Sequence, residues 1–351
     1  MGDLLQQYQD IAPRLLALLI DPFVQVAFRG SIFWWPYLAI SLVVAFVAFV
    51  LVEGGGRAAL REFRRRYFSR LLWLHPSSQA DYAYYIVNSV LHPVLVAPLI
   101  VSGAVIGTGV KTGLAAMFGA PSAPLLGLSA ARALYTVLFF VAYDLGRYVA
   151  HSLLHDVPLL WHFHKPHHSA EVLTPLTNFR AHPVELFVMG AVPNAATGIV
   201  SGMLWYVMAG EIGFYSFLGL HVGIAAFNTI ANLRHFPVWI SFGPLLNRWL
   251  ISPAHHQIHH SREARHFGRN RGFELAVWDR MFGTLYLPVA GEEFRLGLGD
   301  GTDGAWHSVG RMYGWPCRYA LALLGFGRAP RLPAQAEADG GLKIRPPRHI
   351  V

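Results

Sequence analysis

The chain has 351 residues, of which 54% are hydrophobic and only 14% charged, and its mean hydropathy of +0.38 is too high for an ordinary soluble domain. Its net charge is +8, but the basic residues flank apolar runs, which favours membrane orientation by positive loops over nucleic-acid binding. Cys317 is the only cysteine, which excludes an intrachain disulfide and a thiolate metal cluster. These properties indicate an integral membrane protein.

Three apolar runs in the first half of the chain predict transmembrane helices. The first, Phe33–Val52, is uncharged and, at about 20 residues, long enough to cross the hydrocarbon core. Six arginines follow it within residues 57–70, which places that end on the cytoplasmic side. The second run, Ala83–Val110, is broken by a His-Pro pair and leads away from the cytoplasm. The third, Leu125–Ala150, returns to it.

Two further runs, Leu186–Ala209 and Ile212–Ile230, predict a second excursion across the membrane and back. The segments that begin at His151 and at Arg234 therefore lie on the same, cytoplasmic face. We expect an all-α membrane protein, a bundle of four to five transmembrane helices with a cytosolic helical cap.

The chain divides into three parts on composition. Residues 1–30 are moderately apolar and interrupted by charges, which predicts an interfacial or partly buried helix. Residues 31–330 form a single integral-membrane domain with a histidine-rich core at about residues 135–290. Residues 331–351 are rich in proline, glycine and charge, which predicts a disordered tail.

Histidines are concentrated in the predicted core, where fourteen of the 18 fall between His151 and His266. Side chains three or four residues apart lie on one face of a helix. One HxxxH motif and two HxxHH motifs have this spacing, and their histidines are His151, His155, His164, His167, His168, His256, His259 and His260. Imidazole is a good ligand for zinc, copper, iron and nickel. Because eight ligands are too many for one ion, the pattern predicts a di-metal site in the cap.

Two other classes of protein also gather histidines. A membrane metal transporter or metal-binding protein would place ligands within its spans along a path, whereas these motifs lie at one face. A bis-histidine haem protein needs one pair of axial ligands, which three dense motifs exceed. The pattern favours a metal centre at the membrane surface over both alternatives.

The motifs resemble those of the membrane fatty-acid hydroxylase and sterol desaturase superfamily. The resemblance covers roughly Tyr143–Leu287, and the surroundings of the last motif look like a bacterial branch. It is specific in the order as well as the content of its segments, which are "YDLGRYVAHSLLH", "LWHFHKPHHS", "FRAHPVE", "SPAHHQIHHS" and "WDRMFGT".

The resemblance implies four membrane spans, a cytosolic helical cap and a non-haem centre of two iron ions that uses O₂ as co-substrate. Electrons would come from a separate donor protein, and zinc could replace iron by mismetallation. The implied ligands are the eight motif histidines. His235 and His182, which stand at positions where the family places further histidines, complete the implied set.

Two carboxylates near the motifs have a predicted role. Asp144 lies on the same helix face as His151, and Asp279 follows the last motif. We expect each to orient ligand imidazoles or to anchor the cap, since metal-bound histidines need acceptors for their second nitrogen. The alternative is an ordinary salt bridge to Arg147 or Arg280.

The resemblance implies a reaction on a lipid taken from the bilayer. Hydroxylation or desaturation of a C–H bond is the expected outcome, and a sterol desaturase, methyl-sterol oxidase or alkylglycerol-type ether-lipid monooxygenase is the alternative on the same scaffold. The composition favours a bacterial inner membrane, with the histidine site on the cytoplasmic side.

Overall fold

A computed structural model describes residues 16, 20–330 and 342–344. The described chain is largely helical, and its α-helices are α1 (Trp35–Glu53), α2 (Gly56–Tyr67), α3 (Arg70–Trp73), α4 (Pro76–Leu91), α5 (Gly103–Phe118), α6 (Leu128–Asp156), α7 (Pro158–His168), α8 (Pro183–Val207), α9 (Val222–Ala231), α10 (Gly243–Leu246), α11 (Pro253–His259), α12 (Val277–Phe282) and α13 (Val309–Leu323). Single turns of 3₁₀ or π-helix occur at Gln25–Ala27, His92–Val96, Ala97–Leu99, Pro175–Phe179, Ala264–His266 and Asp303–Trp306.

Strands contribute only two small antiparallel pairs within the described residues. The first joins β1 (Ser216–Phe217) to β2 (Leu220–His221). The second joins β3 (Phe294–Arg295) to β4 (Lys343–Ile344). The predicted all-α membrane architecture is confirmed.

Four helical segments are long and apolar enough to cross a membrane, namely Trp35–Glu53, Pro76–Phe118, Leu128–Asp156 and Pro183–Val207. The stretch Ile212–Ile230, predicted as a fifth span, is not one continuous spanning helix. That stretch contains the β1–β2 pair and the ten-residue α9, which reaches only about 15 Å at 1.5 Å per residue. The helix begins late because the ring of His221 caps it, accepting from Gly223 N at 3.1 Å.

The second span is interrupted where the sequence has its His-Pro pair. Helix α4 ends at Leu91, and a π-turn (His92–Val96) and a 3₁₀ turn (Ala97–Leu99) follow. Pro93 and Pro98 lack a backbone N–H, so a regular α-helical ladder cannot continue through them. Helix α5 then starts afresh with Ser102 as its N-cap.

Glycines allow three spans to pack backbone against backbone. Helices α5 and α8 run parallel, and a Cβ on Gly198 would lie 2.7 Å from the carbonyl oxygen of Gly103. Gly202 meets the carbonyl of Gly107 in the same way, one turn further on. Helix α6 runs antiparallel to α8, where Gly146 faces Pro193. Small residues at such crossings let membrane helices approach closely.

The cap is closed in part by residues from the predicted tail. Ile344 of β4 is buried in a cluster with Ile258, Phe294 and Leu296. The prediction of a disordered tail therefore fails at residues 342–344, because an apolar side chain there fills the cap core. Of the predicted N-terminal segment, residues 20–24 are helical, and residues 1–15 and 17–19 lie outside the described chain.

The close helix crossings predict that alanine in place of glycine changes the stability in opposite directions at two sets of positions. Gly198→Ala and Gly202→Ala should lower the stability of the detergent-solubilised protein by about 1–3 kcal/mol, because the added methyl group meets backbone atoms. Gly109→Ala and Gly113→Ala, where a methyl group meets open space, should be neutral or stabilising because alanine is the better helix former. Thermal unfolding checks this, and a similar loss in all four variants would contradict the packing.

Candidate metal centre

Four segments bring the histidines together. Helix α6 carries His151 and His155 in its last two turns, and α7 follows directly with the first HxxHH motif. The second HxxHH motif forms α11 and its C-cap residue, and His235 lies in the turn after α9. The long apolar helix α6 thus ends with two histidines at the junction of bundle and cap.

Helix α11 begins at a fixed residue because of its cap. Ser252 and His255 form a capping box, in which each side chain accepts from the backbone N–H of the other residue, and Pro253 occupies the first helical position. His255 Nδ1 also lies 2.8 Å from Ser252 Oγ. His255 is therefore committed to the helix start, which leaves the next three motif histidines to face inward.

The first group of five imidazoles has ligand nitrogens that all lie within 4.8 Å of one another, and its members are His151, His155, His164, His168 and His259. The Nε2 atoms of His151 and His164 are 3.1 Å apart, as are those of His164 and His168. His155 Nε2 lies 3.3 Å from His259 Nε2. Nitrogens bound at about 2.1 Å to one ion lie about 3.0–3.4 Å apart at octahedral or tetrahedral angles, so these spacings fit a shared metal. We call this group the five-histidine cluster.

The second group contains four imidazoles, His167, His235, His256 and His260, and we call it the four-histidine cluster. His256 Nε2 is 2.9 Å from His235 Nε2 and 3.1 Å from His260 Nε2. The ring centroids of His168 and His260 are 4.8 Å apart across the two clusters. Two ions held here would therefore be neighbours, as the sequence predicts.

Each HxxHH motif divides its histidines between the two clusters. His164 and His168, at i and i+4, belong to the five-histidine cluster, while His167 belongs to the other. The second motif does the reverse, since His256 and His260 enter the four-histidine cluster and His259 enters the first. The spacing predicts that the histidines converge, but not this crosswise assignment.

His182 lies outside both clusters, contrary to the expectation that it is a ligand. Its Nδ1 accepts from Val184 N at 3.1 Å and caps α8, with Pro183 at the first helical position. His75 precedes Pro76 and caps α4 in the same way. In the sequence, a histidine directly before the proline that begins a helix could have indicated an N-cap.

Burial keeps the cluster imidazoles neutral. It lowers the pKa of His164 and of His259 to about 3. Burial, reinforced by neighbouring imidazoles, also holds the pKa values of His167, His235 and His260 well below the usual range. Neutral imidazole is the form that binds metal, so the sites are ready for a cation at physiological pH.

Hydrogen bonds behind the rings orient the five-histidine cluster. His151 Nδ1 donates to the carbonyl of Arg271 and His259 Nδ1 to that of Arg269, each at 2.7 Å. The Glu185 carboxylate lies 2.9 Å from His164 Nδ1. A proton fixed on Nδ1 leaves the Nε2 lone pair facing the cluster, as metal-bound histidines require.

Asp144 holds the loop that supplies one of these carbonyls. Its buried carboxylate accepts from Glu274 N at 3.0 Å, Leu275 N at 3.1 Å and Trp278 Nε1 at 2.8 Å. Arg147 pairs with Glu274 at 3.3 Å instead of with Asp144.

Asp279 holds the other side of the same loop. It accepts from Arg271 N at 2.7 Å, Gly272 N at 2.8 Å and Thr284 Oγ1 at 2.6 Å. The Arg280 guanidinium lies over the ring of Trp249. The two carboxylates contact the loop that backs His151, not the imidazoles themselves.

Comparison with known proteins agrees with this geometry. The model of the fatty acid hydroxylase family matches residues 136–284. This range contains every histidine of both clusters. Residues 136–284 of this chain are therefore similar to the fatty acid hydroxylase family.

Several proteins of known function are similar to this chain. An alkylglycerol monooxygenase of Xenopus tropicalis is 30% identical over 150 residues, which is 42% of this chain and 30% of the relative. An ornithine lipid hydroxylase of Rhizobium tropici is 29% identical over 47% of this chain and 46% of the relative. A Delta(7)-sterol 5(6)-desaturase of Gibberella zeae is 33% identical over 45% and 43%. The match spans less than half of each of these relatives, and no solved structure matches the chain.

Arg180 lies in the segment "FRAHPVE", and the sequence did not reveal its role. Its guanidinium is fully buried and donates to Pro166 O at 2.7 Å, inside the first HxxHH motif. It also donates to Asp81 Oδ1 and Ser169 Oγ, both at 2.8 Å. A charged residue in an otherwise apolar span, Asp81, was the available signal, since a buried carboxylate needs a cation.

Replacing Asp144 tests the loop's control of the metal centre. In the unchanged chain, two backbone N–H groups of the loop donate to the Asp144 carboxylate. In Asp144→Asn, the NH₂ group of the new amide would face one of these N–H groups and could not accept its hydrogen bond. The loop and its Arg271 carbonyl should therefore move away from His151. Removing such a supporting group weakens metal affinity about 10–100-fold. Metal retained per chain after dialysis against graded chelator measures the effect.

The matched control is Glu211→Gln, which neutralises an exposed carboxylate in the segment after α8. A single exposed surface charge contributes little, so this variant should retain its metal. Equal metal retention by Asp144→Asn and the unchanged chain would contradict the role of the loop.

Proposed function

We propose that this protein is a membrane-bound, O₂-dependent oxygenase that hydroxylates or desaturates a lipid, and that its two histidine clusters hold two non-haem iron ions. The observation that carries the proposal is the adjacency of two all-imidazole ligand sets at one end of an apolar helical bundle. The names of similar proteins, which include lipid hydroxylases, a monooxygenase and a sterol desaturase, support the same class of reaction.

The donor set fits iron. Neutral imidazoles suit iron, zinc and copper, while harder ions prefer oxygen ligands. Nine of the imidazoles in the described chain converge in two sets. When bound, two iron ions supply O₂ activation with electrons from a separate donor protein, and zinc in their place would be an inactive substitute.

The chain's own residues hold the ligands and exclude water. The ring of Trp161 lies 5.3 Å from that of His155 and 5.5 Å from that of His168. Phe273 lies 5.3 Å from His151 on another side. These aromatic rings shield the five-histidine cluster, which keeps the local dielectric low and limits side reactions with solvent.

The position of the clusters suits a substrate drawn from the bilayer. Helix α6 carries its ligands at one end and α8 begins beside them, so the site lies where the spans meet the cap. The arginine-rich α2 follows the span α1, which supports a cytoplasmic location of that end by the positive-inside rule. We propose a bacterial inner membrane, which the composition favours.

Hydroxylation and desaturation differ in how the substrate carbon is presented to the centre, so both are included in the proposal. A sterol or ether-lipid substrate is the alternative on the same scaffold. A metal transporter fits less well, because the clusters form one closed site at the end of the spans, not a series of ligands along them.

Lipid analysis of cells that express the protein tests the proposal. The unchanged chain should produce lipids that have gained one oxygen atom or lost two hydrogen atoms, and production should depend on iron. His164→Ala and His260→Ala, one from each cluster, should abolish these products.

His162→Ala is the matched control, because His162 neighbours a ligand but stacks on Tyr319 instead. It should retain the products. Products that persist in His164→Ala and His260→Ala would contradict the oxygenase. An unchanged lipid profile from iron-loaded protein supplied with a reductant would contradict it as well.

A further inference from the structure

A cavity of about 850 Å³ opens where the second span breaks. Its wall combines the end of α4 and the π-turn with the N-terminal segment and the approach to α8. Residues that define it are Asp21, Ser89, His92, Val94, Phe179 and Leu186. We call it the break cavity. It is separate from the nine-histidine centre.

Two polar groups of the break cavity have capacity for a ligand. Asp21 accepts from the Gln25 amide at 2.9 Å through one carboxylate oxygen. The structure records no hydrogen bond for the His92 ring within the described part of the chain. Asn88, by contrast, is already engaged, donating to Ala181 O at 2.8 Å and accepting from Tyr313 at 2.7 Å.

The rest of the wall is apolar and faces the lipid-accessible side. Phe179 and Leu186 line the cavity, and Val94 is 54% exposed on the surface of a candidate span. A polar recess beside an exposed apolar helix surface is suited to an amphiphile, whose chain stays in the bilayer while its head is hydrogen-bonded.

Two residues of the cavity wall are chain neighbours of groups that support the histidine clusters. Leu186 follows Glu185, whose carboxylate lies 2.9 Å from His164 Nδ1. Phe179 precedes Arg180, which donates to Pro166 O between two ligands of the first HxxHH motif. A molecule in the break cavity therefore lies against the segment that positions the five-histidine cluster.

We propose that the break cavity binds the polar head of the lipid substrate, and that this head donates hydrogen bonds through hydroxyl or ammonium groups in place of a phosphate. This inference rests on the proposed lipid oxygenase function. Within the described residues the wall contains no lysine or arginine. Among the described lining residues a phosphate would meet the Asp21 carboxylate and no compensating cation, whereas hydroxyl or ammonium donors are matched by that carboxylate and by an imidazole.

Direct binding to the zinc-loaded, full-length protein in detergent tests the inference without turnover. The probes are a monoacylglycerol and a lysophosphatidic acid that share one acyl chain. The monoacylglycerol should bind about tenfold or more tightly than the phosphate, because hydrogen bonds to a charged group have that order of effect.

Two variants locate the binding. Ser89→Trp fills the cavity and should weaken monoacylglycerol binding about tenfold or more. Asp21→Asn removes the charge without filling the space and should reduce the preference over the phosphate. Ser129→Trp, at an exposed position at the start of α6, is the matched control and should bind as the unchanged chain does.

The outcomes separate this inference from the proposed function. Tighter binding of the phosphate would overturn the inference, as would unchanged affinity and preference in Ser89→Trp and Asp21→Asn. If those variants bind normally while the cells still show modified lipids, the cavity assignment fails and the oxygenase stands. Selective monoacylglycerol binding that both variants impair, from a chain that never modifies lipid, would support the head-group cavity and contradict the oxygenase.

Discussion

The structure depends on the crowding of neutral imidazoles. Nine rings, of which eight are buried and His155 is half-buried, lie so close together that neighbouring Nε2 atoms are about 3 Å apart, a spacing that suits nitrogens around a shared cation. Burial holds the pKa values of rings such as His164 far below the usual range, so protonation does not compete with a metal at neutral pH. The apolar helices, the cap and the loops behind the rings all serve this arrangement.

The support for the rings comes from groups far away in the chain. Asp144 lies on α6, yet it fixes the backbone of residues 274–275, and the same loop offers the Arg271 carbonyl to His151. Arg180 similarly joins the first HxxHH motif to Asp81 on α4. These buried charges are each matched by donors or by an opposite charge, which avoids the large cost of an isolated buried ion. The centre is thus built by a network in which the ligands form only the inner part.

Local spacing predicted much of this molecule, and tertiary contacts account for what it did not predict. Repeated i, i+3, i+4 histidines indicated a two-metal site, and long apolar runs indicated the spans. Spacing within one helix could not show that His164 and His167 enter different clusters, since that depends on where α11 packs. His182 lies outside both clusters and caps α8, a role that its motif position did not reveal. Apolar length likewise suggested a fifth span where the β1–β2 pair interrupts the chain.

We expect that His235, and not His182, completes a set of nine metal ligands. Elemental analysis of anaerobically purified protein tests this most directly, beside the variants His235→Ala and His182→Ala. We expect two iron atoms per chain in the unchanged protein, loss of metal from the four-histidine cluster in His235→Ala, and full metal content in His182→Ala. If zinc is found instead, iron reconstitution must restore the same pattern. Absence of transition metal under conditions that preserve iron, or equal loss in both variants, would contradict this ligand set.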